Sequence, residues 1–285
     1  MEKIFKVNFL LNDQKNNNMI IWIASYPKSG NTWVRLFLKS YFSFKDDNYI
    51  SKGFPIESHF GQLKIDYTNF EEIIKNWEVM QSYINLKTQT NYLKTHNALC
   101  TINNFKFTDK NNTLGAIYLV RDPRDVIVSY AHHLGQAHGE VLKGMLDTSN
   151  GEFGKTGGKE YRRSIMGRWS DNYNSWKLFK DRNVLIVKYE DLVKNRESEF
   201  LRILNYLNKI DGIKVDKEKL NRSIDEASFD KLSKREKECG FKEASEHGVF
   251  FRKGIVGDWK NNLDDTIVRT LEKEFETEMK ELNYI

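Results

Sequence analysis

The chain has 285 residues, of which 39% are hydrophobic and 30% charged, enough for one large α/β domain with a substantial core. An aromatic content of 13% and only three prolines exclude a disordered or collagen-like chain. The 45 basic and 40 acidic side chains give a net charge of +5, which favours anionic ligands without requiring nucleic acid.

The cysteine content and the lengths of the apolar runs indicate the cellular compartment of the protein. Cys100 and Cys239 cannot supply a disulfide framework or a zinc site, so we expect two reduced thiols in a cytoplasmic protein. The longest nearly apolar run, residues 19–24, is far shorter than the roughly 20 residues that cross a membrane. Residues 1–18 lack the apolar core of a signal peptide, and we expect a ragged lead-in followed by a single domain over residues 19–285.

Buried strands and polar turns alternate along the chain. Residues 19–25 form an apolar run typical of a strand buried on both faces, the turn at 26–30 interrupts it, and helical spacing follows from Trp33. Three further strands are predicted, at 92–96, 114–120 and 184–187. Strands that alternate with helices predict a parallel sheet, whose ligands bind beyond the carboxyl ends of the strands.

Two helices have clear sequence signals. Asp122 suits an N-cap, Pro123 the first helical position, and Asp125 the first turn, where a carboxylate favours the helix dipole. Near the end of the chain, apolar residues at a spacing of four predict one packed amphipathic helix; they are Ile267, Leu271, Phe275 and Met279. Residues 52–67 and 149–159 are interpreted as mobile connections, either a lid over the site or plain surface loops.

The first polar turn, residues 26–33, suits a phosphate-like anion. Ser29 and Gly30 let the backbone approach a ligand, and the helix that follows directs free N–H groups at it. Lys28 adds a positive charge, while Asn31 and Thr32 add side-chain donors. The segment is not a Walker A loop, since its lysine precedes the glycine. Taken alone, a purely structural turn is the better explanation of this segment.

Two further segments suggest anion binding. Arg121 ends the strand at 114–120, where its guanidinium is suited to phosphate oxygens, and Ser129 follows two helical turns later. The alternative is an ion pair between Arg121 and Asp125. Residues 251–260 contain two adjacent cations followed by a glycine, an arrangement that suits a flexible anion clamp or a solvated surface. Three such segments in one chain imply a ligand with more than one anionic group.

Residues 26–33, 121–129 and 252–261 together resemble the three signatures of soluble, cytosolic-type sulfotransferases that use 3′-phosphoadenosine 5′-phosphosulfate (PAPS). The order and spacing match over most of the chain. The resemblance implies a single α/β domain with a central parallel β-sheet flanked by helices and a P-loop-like nucleotide-binding architecture. It also implies an enzyme that moves a sulfuryl group from PAPS and releases adenosine 3′,5′-bisphosphate (PAP).

The resemblance assigns donor-binding roles to particular residues. Lys28 corresponds to the catalytic lysine of the 5′-phosphosulfate loop, and Arg121 and Ser129 to the pair that binds the 3′-phosphate. Trp33 and Phe229 correspond to the aromatic rings on either side of the adenine. The other residues that correspond to nucleotide contacts are Ser29, Gly30, Asn31, Thr32, Tyr189, Ser228, Arg252, Lys253 and Gly254.

The chemistry of sulfuryl transfer agrees with these roles. An acceptor hydroxyl must lose its proton as the S–O bond forms, and His96, which the resemblance identifies as the general base, is suited to accept it. A Lys28 ammonium would stabilise charge on the leaving oxygen, and Lys94 would assist at the sulfuryl oxygens. Ser129 is grouped with these catalytic residues. The scheme requires no metal.

The sequence also departs from the family pattern. Asn31 replaces a common threonine, so an amide contact to the 5′-phosphate is expected instead of a hydroxyl contact, and Ala227 replaces a hydroxyl residue. The dimerisation motif of animal members is not matched after Lys260, because Thr266 arrives two positions late. The oligomeric state is therefore open. A histidine cluster follows Ser129 and predicts either acceptor contacts or a solvated helix end; it consists of His132, His133 and His138.

Two other functions are compatible with parts of the sequence. A P-loop nucleotide kinase or NTPase would need a Walker lysine and a magnesium carboxylate, neither of which is found. A nonenzymatic anion- or RNA-binding module would need a basic stripe, whereas here acidic residues are interspersed. We expect no nucleic acid and no membrane as partner. Aromatic residues in 52–67 and 241–250 favour a small-molecule acceptor, a hydroxyl or an amine, with a saccharide or peptide hydroxyl as the alternative.

Overall fold

A computed structural model describes residues 19–43, 53–54, 65–86, 89–156 and 158–285. Within them, four parallel strands form the central sheet in the order β2–β1–β5–β8. These strands are β1 (Ile20–Ser25), β2 (Asn91–Thr95), β5 (Thr113–Val120) and β8 (Val184–Lys188). Two antiparallel pairs are formed by β3 (Thr101–Ile102) with β4 (Phe105–Lys106) and by β6 (Phe153–Thr156) with β7 (Lys159–Arg162).

Helices connect and cover the strands. Those in the first half of the chain are α1 (Asn31–Phe42), α2 (Phe70–Lys75), α3 (Trp77–Ile84), α4 (Pro123–Leu134) and α5 (His138–Leu146). The second half contains α6 (Trp169–Lys177), α7 (Tyr189–Lys194), α8 (Arg196–Asp211), α9 (Lys217–Glu226), α10 (Phe229–Cys239), a 3₁₀ turn (Asp258–Asn261), α11 (Asp265–Glu274) and α12 (Glu276–Glu281). No helix of the described residues combines the length and apolarity needed to cross a membrane.

The central strand β1 is buried on both faces, as its continuous apolar sequence predicts. Trp22 packs in a core cluster with Trp77 and Trp176 on one face of the sheet. Ile21 packs on the other face in a cluster with Phe37 and Phe200. Because both faces are covered by apolar side chains, the chain forms the α/β fold with a helix-flanked parallel sheet that the sequence predicts.

The strand register brings the polar turns to one edge of the sheet. Ala24 of β1 pairs with Thr95, Ser25 pairs with Leu119, and Val120 pairs with Lys188. The carboxyl ends of β1, β2, β5 and β8 therefore lie side by side, and the segments that follow them begin at the same edge. In a parallel sheet this edge is where ligands bind.

The helix signal after β5 is confirmed, since Asp122 caps α4 by accepting a hydrogen bond from the backbone N of Arg124 and Pro123 takes the first helical position. The single helix predicted near the end of the chain is wrong in its continuity, because α11 and α12 are separated at Phe275. The predicted packed face nevertheless exists: Leu271, Phe275 and Met279 are fully buried.

The two segments interpreted as mobile connections have different outcomes. The hairpin β6–β7 forms within and just after residues 149–159, so part of that segment is regular structure. Most of residues 52–67 lie outside the described residues, as do residues 1–18.

Candidate active site

A cavity of about 780 Å³ opens at the carboxyl edge of the sheet, and all three segments that are predicted to bind anions contribute to its wall. Most residues singled out from the sequence line it: Lys28, Gly30, Asn31, Thr32, Trp33, Lys94, His96, Arg121, Ser129, Tyr189, Phe229, Arg252, Lys253 and Gly254. Ser29 is buried beside them without lining the cavity, and Ser228 is half-buried at the start of α10, also outside the lining. The fold thus brings together residues from distant parts of the chain.

The first turn leaves a helix start uncapped at the cavity. Gly30 is the N-cap of α1 with φ of 97° and no side-chain cap, so the first N–H groups of the helix are free for an anion. A Cβ at Gly30 would come within 2.9 Å of the Tyr189 ring. Lys28 adopts φ of 64°, which is uncommon for a residue other than glycine. The buried Ser29 Oγ has no hydrogen-bond partner among the described residues.

The Asn31 side chain holds the turn together. Its Nδ2 donates to the carbonyl oxygen of Ile23 at 2.8 Å and to Ser25 Oγ at 3.3 Å. Its Oδ1 accepts a hydrogen bond of 2.8 Å from Arg35 Nε. Because the amide is engaged on both sides, the side chain is not free for the phosphate contact expected from the sequence, and the backbone N–H is the group that remains available.

Arg121 connects the first and third segments. Its Nη1 donates to the Lys28 carbonyl oxygen at 3.4 Å and its Nη2 to the Ile255 carbonyl oxygen at 3.0 Å. The guanidinium carbon lies 4.2 Å from the centre of the Tyr189 ring. The buried Arg121 Nε has no partner among the described residues. A guanidinium that is only partly satisfied at a cavity wall is suited to an anionic ligand.

The ion pair of Arg121 with Asp125, which the sequence offers as the alternative to anion binding, is present but loose. Asp125 Oδ2 lies 3.8 Å from Arg121 Nη2. The buried Asp125 carboxylate instead accepts hydrogen bonds from the backbone N of Gly257 at 2.7 Å and of Trp259 at 3.0 Å. Asp125 therefore fixes the third segment against the start of α4, a role that the sequence alone did not indicate.

The third segment presents its cations beside a glycine. Arg252 and Lys253 both pair with Asp258, at 2.5 and 2.8 Å. Gly254 has φ of 66°, and a Cβ there would collide with the Phe229 ring. Only glycine allows the backbone to pass this close to that ring in this conformation.

Aromatic rings line the part of the cavity between α1 and α7. Trp33 is fixed by a hydrogen bond of 2.8 Å from its Nε1 to the Ala227 carbonyl oxygen, and its ring meets Tyr189 edge-on at 5.9 Å. The guanidinium carbon of Arg196 lies 5.4 Å from the centre of the Trp33 ring. Arg196 also lines the cavity, although nothing in the linear sequence distinguishes it from other arginines.

His96 ends up buried beside the end of β1. Its Nδ1 lies 2.7 Å from the Ser25 carbonyl oxygen. Because a carbonyl only accepts hydrogen bonds, Nδ1 carries the proton and Nε2 keeps a free lone pair. Burial, reinforced by the positive charge of Lys94, lowers the pKa of His96 to about 4. The imidazole is therefore neutral at physiological pH and able to accept a proton.

Two lysines share the cavity with His96. Lys28 Nζ lies 3.9 Å from the centre of the Phe250 ring. Burial and the nearby charge of Lys94 lower the pKa of Lys28 to about 8. Lys94 Nζ lies 3.4 Å from Glu243 Oε2, and burial together with Arg35 lowers its pKa as well. Both ammonium groups are thus held in a partly desolvated position, where charge interactions are strong.

The remaining wall comes from α4, α5 and the hairpin β6–β7 and mixes polar with apolar side chains. It includes Tyr130, His133, Leu134, Glu140, Val141, Asn150, Glu152, Phe153, Glu160 and Arg163. Sequence reasoning missed the carboxylates of this set, since isolated acidic residues carry no local signal.

The histidine cluster is divided by the fold. His133 lines the main cavity, whereas His132 and His138 line a smaller cavity of about 370 Å³ together with His247. The three do not share one helix, since α4 ends at Leu134 and His138 begins α5. In the part of the chain that the structure describes, no group of three or more His, Cys, Asp or Glu is arranged to hold a metal ion.

A sequence model of the sulfotransferase domain matches residues 19–283. The chain belongs to the sulfotransferase family. Sulfotransferase 1 family member D1 of Mus musculus is 28% identical to this sulfotransferase, over 92% of this chain and 83% of that protein. The family match confirms the resemblance found in the signatures and decides against the kinase and the nonenzymatic binding module.

Solved structures confirm the fold. Mouse sulfotransferase SULT7A1 complexed with PAP has a TM-score of 0.60 and 22% identity, with 96% of this chain and 89% of that chain covered. Retinol dehydratase in complex with androsterone and PAP also has a TM-score of 0.60, at 20% identity, with 94% and 82% covered. The sulfotransferase described here thus has the architecture that its sequence predicts.

Proposed function

We propose that this sulfotransferase moves the sulfuryl group of PAPS to a hydroxyl group of a small-molecule acceptor, with an amine as the alternative, in one in-line displacement. The observation that carries the proposal is the convergence of Lys28, Arg121 and Arg252 on one cavity that has His96 in its wall. Retinol dehydratase and mouse SULT7A1, both solved in complex with PAP, have the same fold as this chain, which supports a nucleotide of this kind as the donor.

The donor is proposed to lie along the three anion-binding segments. Arg121 and Ser129 would bind its 3′-phosphate, with Arg252 and Lys253 closing over it. The first-turn N–H groups and Lys28 would bind the 5′-phosphosulfate. The adenine would lie between aromatic rings and beside Tyr189; these rings are Trp33 and Phe229. The buried Ser29 Oγ and Arg121 Nε, which lack partners among the described residues, support this fit.

The proposed chemistry is a single step. The acceptor oxygen attacks sulfur while its proton passes to Nε2 of His96. The bond between sulfur and the bridging oxygen of the phosphosulfate breaks, and its electron pair stays on that oxygen. The Lys28 ammonium stabilises this developing charge, and Lys94 faces the sulfuryl oxygens. Positioning and electrostatic stabilisation carry most of the acceleration, as in phosphoryl transfer.

The acceptor is proposed to contact the wall formed by α4, α5 and the hairpin β6–β7. His133 lies there within the same cavity as His96. Burial, together with the charge of Lys28, lowers the pKa of His133 to about 4, so it would meet the acceptor as a neutral imidazole. The side chains of this wall can hydrogen-bond and also pack on apolar surface, which supports a small polar molecule rather than a nucleic acid.

The test is incubation of the full chain with PAPS labelled in its sulfuryl group and a panel of alcohols, phenols, amines and glycans. We expect label to appear in at least one acceptor, together with stoichiometric PAP. We also expect PAP to bind in strong preference to ATP, because ATP lacks a 3′-phosphate. A protein that binds ATP as tightly as PAP and transfers no label would refute the proposal.

A further inference from the structure

Glu243 is an acidic side chain in the wall of an otherwise cationic part of the cavity. Its carboxylate accepts hydrogen bonds of 2.6 and 2.8 Å from Arg35 Nη2 and one of 3.1 Å from Thr32 Oγ1. Lys94 Nζ lies 3.4 Å from the same carboxylate. Glu243 therefore joins α1, β2 and the segment that leads to the third anion-binding element.

Arg35 and Glu243 form an ion pair that fixes the position of the Glu243 carboxylate. The Arg35 side chain is only 3% exposed and that of Glu243 27% exposed. Arg35 also donates from Nε to Asn31 Oδ1, so the same network holds the first turn. A buried arginine strongly favours a charged partner, because a buried charge without a partner is strongly destabilising. Glu243 is thus expected to stay in place when the cavity fills.

The chain that follows Glu243 is fixed by a second carboxylate, that of Glu236. Phe250, whose ring lies against Lys28, and Phe251 donate their backbone N–H groups to the buried carboxylate of Glu236 at 2.6 and 2.9 Å. The segment before Arg252 is therefore held at two points, by Glu236 against α10 and by Glu243 against α1 and β2.

We propose that Glu243 is a positioning residue for sulfuryl transfer, which holds Lys94 in place and keeps both Lys94 and Lys28 charged. The proposal rests on the proposed function, because it assumes that these lysines meet the donor. Among the described residues, Glu243 is the only acidic side chain within ion-pair distance of Lys94. Without it, Lys94 would face the like charges of Lys28 and Arg35 with no ion-pair partner, and Glu152, which lies beyond ion-pair distance, would be its remaining acidic neighbour until the donor arrives.

The electrostatics of the site support this role. Burial disfavours the charged form of Glu243, but Arg35 and Lys94 outweigh it and lower its pKa to about 2. The resulting negative charge opposes the burial that lowers the pKa values of Lys28 and Lys94. The charged and titratable groups facing the two lysines are Arg35, His96, Arg121, His133, Glu152, Glu236 and Glu243.

The test measures PAPS affinity by calorimetry between pH 6 and pH 9.5 for the wild type, Glu243→Gln and Glu243→Asp. PAPS affinity falls as the lysines lose their protons. Loss of the Glu243 charge lowers the lysine pKa values, so the midpoint of this fall should move down by about one pH unit in Glu243→Gln. The shift should be smaller for PAP, which lacks the sulfuryl oxygens that Lys94 is proposed to face. A merely structural defect would weaken binding equally at every pH.

Glu243→Asp and one control variant, Glu246→Gln, make the result decisive. Glu243→Asp keeps the charge that Arg35 needs but withdraws it from Lys94, so it should fold and shift the midpoint by a smaller amount. If Glu243→Gln does not fold, the midpoint measured for Glu243→Asp is the test of the proposal. Glu246→Gln, on the same segment with an 88% exposed side chain, should match the wild type. A folded Glu243 variant with the wild-type midpoint overturns the role of Glu243 alone, whereas a wild type that fails to bind PAP and PAPS overturns the proposed function as well.

Discussion

The Ser25 carbonyl oxygen, at the carboxyl end of β1, accepts a hydrogen bond of 2.7 Å from Nδ1 of His96, the residue that follows β2. Neighbouring parallel strands bring the two residues together. The bond fixes both the orientation of the imidazole and its tautomer, so that Nε2 is the basic nitrogen. Ser25 Oγ lies 3.2 Å from the same nitrogen and accepts a second, longer hydrogen bond from the Nδ1–H group. The backbone therefore sets the orientation and the tautomer of His96 before any ligand binds.

Replacement of this base should separate chemistry from nucleotide binding. We expect His96→Gln to lower the turnover number by roughly 10²- to 10⁴-fold, the usual contribution of a general base. PAP affinity should stay within a few-fold of the wild type, because the nucleotide is proposed to bind elsewhere. Labelled PAPS turnover and calorimetry with PAP measure the two effects. His138→Gln, outside the main cavity, is the matched control; near-native turnover of His96→Gln would remove His96 as the base.

The pH dependence follows from His96 and Lys28. His96 must be unprotonated, and its pKa is lowered to about 4 by burial and by Lys94, so activity should be lost only as the pH falls through that value. Lys28 must be protonated, and burial and Lys94 lower its pKa to about 8, so kcat/KM for PAPS should decline as the pH rises through 8. Bound anionic donor favours the ammonium form, so the alkaline limb of kcat should lie at higher pH. The assignment would be contradicted if kcat and kcat/KM declined at the same alkaline pH and if Lys28→Arg left that pH unchanged.

Arg121 should be responsible for selectivity toward a 3′-phosphate. Hydrogen bonds to charged groups typically contribute about 1.5–3 kcal/mol, so Arg121→Ala should weaken PAP roughly tenfold to a hundredfold. The affinity for AMP, which has no 3′-phosphate, should change little. Arg121→Lys keeps the charge but loses the planar donor pair and should give an intermediate result. Equal losses for PAP and AMP would show that Arg121 supports the cavity without contacting that phosphate.

The sequence alone was sufficient to predict the central sheet and the polar segments at its carboxyl edge. A run of apolar β-branched residues followed by a polar turn has few structural solutions, and parallel pairing then forces the turns to one edge. The same reasoning did not reveal the contacts of Asn31, since whether an amide faces a ligand or the protein depends on Arg35, four residues away on the buried face of α1. Neither propensity nor spacing encodes that choice.

Side-chain contacts between segments that are distant in the chain could not be predicted from the sequence either. Glu243 meets Thr32 and Arg35 across more than 200 residues, and Asp125 meets Gly257 across 132. The sequence predicts that Asp125 is a carboxylate in the first turn of a helix. This prediction is correct, but it does not include the contacts of Asp125 with Gly257 and Trp259. Each such side chain has a plausible local explanation, so only the folded arrangement identifies its partners.

Asp125 should control the third segment without touching the ligand. Its buried carboxylate accepts the backbone N–H groups of Gly257 and Trp259, and Asp125→Asn would place an amide NH₂ against one of them. An unsatisfied buried donor costs about 1–3 kcal/mol, so the loop should open more often and stability should fall by a similar amount. Hydrogen exchange should be faster at Gly257 and Trp259, and PAP should bind more weakly because Arg252 is carried by this loop. The matched variant Asp265→Asn, at a 90% exposed side chain, should change neither quantity. If exchange at the two amides stays at the wild-type rate while PAP affinity falls, Asp125 acts on the ligand through Arg121 and not through the loop.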